Sequence, residues 1–225
     1  NDKISKEINK LDFESIKSFD NFLINLDGTE NKSNLGANTI LAASLSFAKS
    51  LSDQQKTPFF EYLSSNNDYL LPLPMMNIVN GGSHADNSVD IQEFMIAPIG
   101  ASSFFEALQY GCEIFHSLKS ILKSNNLNTN VGDEGGFAPD IKSAEEVIEI
   151  IIKSVEKVGL KIGKDIVLSL DVASTEFYKN NLYNLNGEGK SLTSDQMINY
   201  IKNLTDTYPI YSVEDGMAED DWEGW

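Results

Sequence analysis

Cysteine is nearly absent from this chain. Cys112 stands alone, which excludes an internal disulfide and suits a reducing, cytoplasmic setting. No stretch approaches the roughly 18 consecutive apolar residues of a membrane-spanning helix, and no signal peptide opens the chain. An initiator methionine is also lacking, the first residues being Asn1-Asp2-Lys3, so a missing beginning is expected. Positive charge is scarce: 17 basic residues face 34 acidic ones, for a formal net charge of −17. Such a surface argues against nucleic-acid binding and against attraction to anionic membranes. A solvated acidic exterior accounts for most of it, leaving a few carboxylates to face divalent cations. Internal repeats and low-complexity linkers are missing too. So are the G-x-G-x-x-G and G-x-x-x-x-G-K-[ST] phosphate loops, the nucleophile elbow, the CxxC pair and the HExxH zinc motif. What is left is an inventory of carboxylates plus one well-placed histidine. That suits metal-assisted proton chemistry better than covalent catalysis.

At 225 residues, 41% of them hydrophobic, the chain can bury a sizeable core in one or two domains. Ala and Leu at helical spacing predict a helix over Gly36–Leu51. Thr57-Pro58 predicts a short helix with Thr57 as N-cap and proline at the first helical position. Two prolines in Leu70-Leu71-Pro72-Leu73-Pro74 end the helical region, placing a boundary between a domain over residues 1–70 and another over 71–225. Beyond it, strand and helix signals alternate. Met76–Asn80 reads as a strand, and Val89–Ile96 alternates apolar and polar residues with the period of a strand. Phe105, Leu108, Cys112, Phe115, Leu118 and Leu122 mark one long amphipathic helix. Asn128–Val131 predicts a short strand, and Ser143 with Glu146 a capping box opening a helix to Val158, stopped by Gly159. Ile166–Asp171 is an apolar run ending in a carboxylate, as suits a buried strand. A second box, Thr193 with Gln196, opens a helix that Pro209 ends, and Ile210–Val213 is a further strand running into Glu214-Asp215. This alternation predicts an α/β fold with a mainly parallel sheet. A barrel is preferred to a doubly wound sheet, which would normally carry a glycine-rich phosphate loop.

The chemistry concentrates in a few stretches. In Val131-Gly-Asp-Glu-Gly-Gly-Phe-Ala-Pro139 an acidic pair sits between glycines, so the backbone can take positive φ on either side and hold a carboxylate against a ligand. An acidic surface turn is the plain alternative. Glu134 is a candidate general acid if neighbouring carboxylates or desolvation raise its pKa. Asp171 and Glu214 each end a predicted strand and together make a natural Mg²⁺ site, although a helix cap or a salt bridge would use them equally well. No third ligand is obvious after Glu214. His84, in a glycine-rich loop, is a candidate for substrate contact, whereas His116 on a helix is structural or surface. Glu93, beside Gln92 in a predicted strand, needs a partner or a job if buried.

Six stretches carry a family resemblance: Leu26-Asp-Gly-Thr-Glu-Asn-Lys-Ser-Asn-Leu-Gly-Ala-Asn38, Asn80-Gly-Gly-Ser-His-Ala-Asp-Asn87, Gln92-Glu-Phe-Met-Ile96, Gly132-Asp-Glu-Gly-Gly-Phe-Ala-Pro139, Leu170-Asp-Val-Ala-Ser174 and Glu214-Asp-Gly-Met-Ala-Glu-Asp-Asp-Trp222. In order and spacing they resemble the enolases, in particular the bacterial form. The resemblance implies an enolase-type (β/α)8 barrel, its first half present, preceded by the remainder of a smaller α+β domain. It implies a lyase that reversibly dehydrates 2-phosphoglycerate to phosphoenolpyruvate through an enolate, with two Mg²⁺ ions. It makes Glu134 the residue assisting departure of the C3 hydroxyl, Asp171 and Glu214 two of three metal carboxylates, and His84, Gln92 and Glu93 the pocket lining. A dimer or larger homo-oligomer is expected, with no nucleic acid or membrane span.

Residues 71–225 are little more than half of the about 250 that close such a barrel. The family's third metal carboxylate, its lysine base and its phosphate-binding residues are expected beyond Trp225, and its lid serine before Asn1. The chain is therefore expected to be an internal piece, inactive alone and exposing unpaired strand edges. Two other readings compete: another acid dehydratase of the same superfamily, and a non-catalytic interaction module.

Overall fold

Pro72 and Pro74 interrupt helix propagation, and beside them the chain divides into two units, Asn1–Leu70 and Leu71–Trp225. The computed structural model describes residues 2–9, 11–64, 66 and 68–225. Its first unit contains α1 (Asp2–Ile8), α2 (Ile16–Asp27), α3 (Ala37–Gln55) and α4 (Phe59–Leu63). Ser15 and Ser18 cap the start of α2 reciprocally, and Gly28 ends it at φ 75°, a left-handed turn that glycine takes without strain. Phenylalanines join α2 to α3, Phe19 stacking on Phe47 at 4.4 Å. The turn after α2 is organised by Asp27, whose buried carboxylate accepts the amides of Thr29 (3.0 Å) and Leu35 (2.7 Å). α4 starts one residue later than its sequence signal. Pro58, not Thr57, flanks it, and the Thr57 hydroxyl donates instead to the Gln55 carbonyl at 3.3 Å.

The second unit runs β1 (Met76–Asn80), β2 (Glu93–Ala97), α5 (Phe104–Ser124), α6 (Ala144–Lys157), β3 (Val167–Asp171), β4 (Tyr178–Lys179), β5 (Leu182–Leu185), β6 (Lys190–Leu192), α7 (Ser194–Thr207) and β7 (Ile210–Glu214). Four strands make an open sheet in the order β1-β2-β3-β7, and β4, β5 and β6 make a small antiparallel sheet. The expectation of a mainly parallel sheet is overturned. Only β3–β7 is parallel, while β1–β2 and β2–β3 are antiparallel. The connections explain it. No helix longer than one turn separates β1 from β2, too little for a crossover. The chain leaves β2 at Ala97 and re-enters the sheet at Val167, its register partner, so the excursion through two helices returns to the end it left. Between β3 and β7 lies the single long helix α7, and there the pair is parallel.

Other local expectations also shift. Val89–Ile96 is a strand only from Glu93. Before it the chain curls back, the Gly81 and Gly82 amides donating to the carbonyls of Gln92 (2.8 Å) and Val89 (2.7 Å). Over Asn128–Val131 just Val131 forms a bridge, to Phe137. On α5 the residues Phe105, Leu108 and Cys112 are exposed, and the buried line runs through Ala107, Gly111, Ile114, Leu118 and Leu122. Small residues let this helix approach β1: a Cβ at Gly111 would lie 2.4 Å from Met76 Sδ. Ile114, Leu118 and Leu122 then share one core with Ile78, Phe94 and Leu168 of the sheet and Ile148 and Ile151 of α6, each fully buried side chain contributing about 1.5–3 kcal/mol. The Thr193–Gln196 box forms in both directions at the start of α7, and Ser143 accepts the Glu146 amide at the start of α6.

Candidate active site

One row of side chains crosses the whole four-stranded sheet. Asn80 pairs with Glu93, Glu93 with Asp171, and Asp171 with Glu214. Register partners share a face, and adjacent strands lie about 4.8 Å apart, so three carboxylates stand in line at one end. β2 runs opposite to its neighbours, which makes Glu93 its first residue where Asp171 and Glu214 are the last of theirs. Gln92 Nε2 donates to Asp171 Oδ2 at 3.2 Å, and the Ala173 amide to Asp171 Oδ1 at 3.0 Å. The ends of β3 and β7 are tied together by Val172 N to Glu214 O (3.0 Å) and Ser174 N to Asp215 O (3.0 Å).

Two loops close over this row. After β1 a short 3-10 turn, Gly82–His84, brings His84 Nδ1 to 3.5 Å from Glu93 Oε1. The acidic loop is laid along β1: Phe137 N donates to Ile78 O and Asn80 N to Phe137 O, both at 2.9 Å, while the Phe137 ring stacks on Phe115 at 4.2 Å. Asp133 N donates to His84 O at 3.1 Å, joining one loop to the other. Asn87 Nδ2 adds a second tie, donating to both Asn80 O and Pro139 O at 3.0 Å.

The glycines do work other than that expected of them. Only Gly135 has a positive φ, 84°. Gly132 and Gly136 are needed for room. A Cβ at Gly132 would lie 2.5 Å from His84 O, and one at Gly136 would lie 2.8 Å from Val79 N. The result places one ligand atom each of His84, Glu93 and Glu134 within 4.8 Å of one another, the one such three-donor cluster among the described residues. Asp171 and Glu214 form a pair on the same row outside that cluster. His116 is exposed on α5.

The electrostatics are one-sided. Burial raises the Glu93 pKa, and the negative charges of Asp171, Glu134 and Glu214 raise it further, opposed by His84. Burial, then Asp171 and Asp215, raise that of Glu214. Among the described residues no lysine is in ion-pair contact with this row, and the chain contains no arginine. Polar groups are also left unmet. Both side-chain amide atoms of Asn80 are buried without a hydrogen-bond partner, and His84 Nδ1 has the 3.5 Å ion-pair contact with Glu93 but no hydrogen bond. An unpaired buried polar group costs about 1–3 kcal/mol, and such groups are commonest where a ligand completes them. Asn80 is the member of the row that sequence reasoning missed. Its only signal was its place immediately before Gly81-Gly82.

Hard oxygen donors with no counter-charge fit Mg²⁺, which takes one or two carboxylates and keeps several waters.

Two family models match the chain, "Enolase, N-terminal domain" over residues 1–63 and "Enolase, C-terminal TIM barrel domain" over residues 68–225. The second covers well over half of the 225 residues. It accords with the open α/β sheet, which is an incomplete barrel with its acidic row at one rim. A metal-compatible carboxylate row at the end of such a sheet, matched over both domains, makes this chain a member of the enolase family, a family of lyases.

Proposed function

We propose that the complete protein reversibly dehydrates 2-phosphoglycerate to phosphoenolpyruvate, using two Mg²⁺ ions. The observation that carries the proposal is the row Glu93–Asp171–Glu214, with Glu134 and His84 converging on it and no lysine paired with it among the described residues. A proton beside a carboxylate is very weakly acidic, and bound Mg²⁺ supplies the positive charge that makes its removal feasible. Asp171 and Glu214 are the residues to hold the metal. Glu134, exposed on a loop fixed to β1 by the Phe137 bonds, is assigned protonation of the departing C3 hydroxyl. His84, Gln92 and Glu93 form the pocket wall. Gln92 keeps Asp171 oriented through its 3.2 Å bond. Glu93, its pKa raised, accepts a proton or a substrate hydroxyl hydrogen bond more readily than an exposed glutamate would. Cytoplasmic residence and assembly as a dimer or larger homo-oligomer belong to the same proposal. The exposed, unpaired Cys112 suits the first of these.

The test is turnover of 2-phosphoglycerate by the complete protein with and without Mg²⁺, beside Glu134→Gln. Loss of roughly 10²–10⁴-fold in kcat is expected of the variant. Undiminished turnover by Glu134→Gln would remove its catalytic assignment. Turnover of sugar acids but not of 2-phosphoglycerate would move the protein to another branch of the superfamily.

A further inference from the structure

The β5–β6 hairpin contributes no side chain to the carboxylate row, yet it is bound closely to the loop that carries His84. Asp90 lies on that loop, and its two carboxylate oxygens accept separate backbone amides of the hairpin turn, Gly187 N at 3.0 Å and Glu188 N at 3.1 Å. The two backbones touch at the same point: a Cβ on Gly187 would lie 1.6 Å from Ser88 O. No side chain fits there, so glycine is required for contact rather than for its dihedral freedom. Glu188 then fixes the hairpin itself. Its carboxylate, 5% exposed, accepts from Tyr200 OH on α7 (2.7 Å), from Ala144 N at the start of α6 (3.1 Å) and from Lys190 Nζ (2.6 Å). A second, looser tie reaches the same loop, Ser83 Oγ donating to Glu176 Oε2 at 3.1 Å.

We propose that Asp90 is a positioning residue, clamping the His84 loop to the β5–β6 hairpin and so setting where His84 meets the substrate. The clamp is a two-point carboxylate-to-amide grip, the geometry that holds a loop in register. Hydrogen bonds to a charged acceptor are the stronger kind, and both donors here are main-chain amides. The hairpin end is in turn braced by two helices, so the position of His84 is referred to the core of the unit rather than to solvent.

This inference rests on the proposed dehydratase activity for its kinetic readout, and hydrogen–deuterium exchange supplies a second readout that does not. The experiment uses the complete protein, as wild type, Asp90→Asn, Asp90→Glu and Gly187→Ala. In Asp90→Asn, amide exchange over residues 82–90 is expected to rise about tenfold while exchange in α5 and α6 stays unchanged. KM for 2-phosphoglycerate is expected to rise by a similar factor with a smaller change in kcat, and Asp90→Glu to recover part of it. Gly187→Ala approaches the same contact from the hairpin side and is expected to reproduce the exchange pattern with Asp90 intact. Unchanged exchange over 82–90 in both Asp90→Asn and Gly187→Ala would overturn the clamp. So would increased exchange spread evenly through α5 and α6, which marks general destabilisation. A wild type that fails to convert 2-phosphoglycerate contradicts the proposed activity alone, and the exchange measurement still decides the clamp.

Discussion

The two ends of the four-stranded sheet are built by different rules. At the end where β2 leaves and β3 enters, the connecting turns match their polar groups, although both side-chain amide atoms of Asn77 on β1 lie buried without a hydrogen-bond partner. Gly100 N donates to Asp165 O at 2.9 Å, Lys161 N to Asp165 Oδ2 at 2.8 Å, and Gly163 N to Ile166 O at 2.7 Å. At the opposite end three carboxylates stand in a row with no lysine paired to them among the described residues, and Asn80 keeps both side-chain polar atoms without a hydrogen-bond partner. Glycines at both ends are close-packed. The contrast lies in charge, not in density. An end that only had to be stable would not collect like charges, because each raises the cost of ionising the next. The unsatisfied end is what a fold pays to keep a binding site open.

The largest test of this contrast pairs two overpacking substitutions. Gly136→Ala would push a Cβ to 2.6 Å from Asn80 Oδ1, and Gly100→Ala one to 2.6 Å from Asp165 Cα. Each is expected to cost about 1–3 kcal/mol in a thermal or denaturant melt. Only Gly136→Ala should also lose activity per folded molecule, by about 100-fold, since it displaces the loop that holds Glu134. Equal activity losses would erase the distinction between the ends.

A smaller effect has opposite signs at the two ends. Glu93→Gln removes a charge from the crowded row and is expected to stabilise the protein by about 1 kcal/mol while lowering kcat/KM. For a chain this size that is a rise of about 2–4 °C in Tm. Asp165→Ala removes a satisfied acceptor and is expected to destabilise by about 1 kcal/mol with activity intact. A destabilised Glu93→Gln would mean that the row is held together by something other than a missing cation.

The smallest effect is in the pH dependence. Glu93 and Glu214 have raised pKa values. Their contribution to stability is therefore full below the ordinary glutamate value, about 4.3, and is lost as pH rises through the raised folded values. Asp221 behaves oppositely. Bonds from Ser194 and Tyr183 lower its pKa, so its contribution is present above about pH 3.9 and is lost as pH falls through the lowered value. Tm of wild type minus Tm of Glu93→Gln should thus grow more negative from pH 4 to 7. The difference between wild type and Asp221→Asn should instead shrink below pH 4.

Much of this was legible in the residues because it is local. Apolar runs ending in carboxylates placed β3 and β7, and the Thr193–Gln196 pair placed the start of α7 to the residue. Strand direction was not legible. It depends on whether a connection returns to the end it left, and one helix or two in tandem look alike residue by residue. Glu93 was recognised as an acid needing a purpose, but read in mid-strand. Its place at the rim appears only once β2 is seen to run backwards. Asn80 was missed as a site residue because it reads only as the last residue of a strand. The loop glycines were read for dihedral freedom, whereas two of the three serve close approach, a property of the neighbour rather than of the segment. On α5 Leu118 and Leu122 of the large apolar line are buried in the core, whereas the close approach to β1 is made at Gly111 and not at Phe105, Leu108 or Cys112.

The most direct measurement uses Mn²⁺ as a paramagnetic stand-in for Mg²⁺, added below stoichiometry to the complete, isotopically labelled protein. Amide signals of Asn80–Glu93, Gly132–Phe137, Asp171 and Glu214 are expected to broaden first, and an excess of Mg²⁺ to restore them. Signals of Gly100, Lys161 and Asp165 should stay sharp throughout. Broadening spread evenly over both ends, or confined to exposed acids elsewhere on this acidic surface, would contradict a divalent-cation site at the carboxylate row.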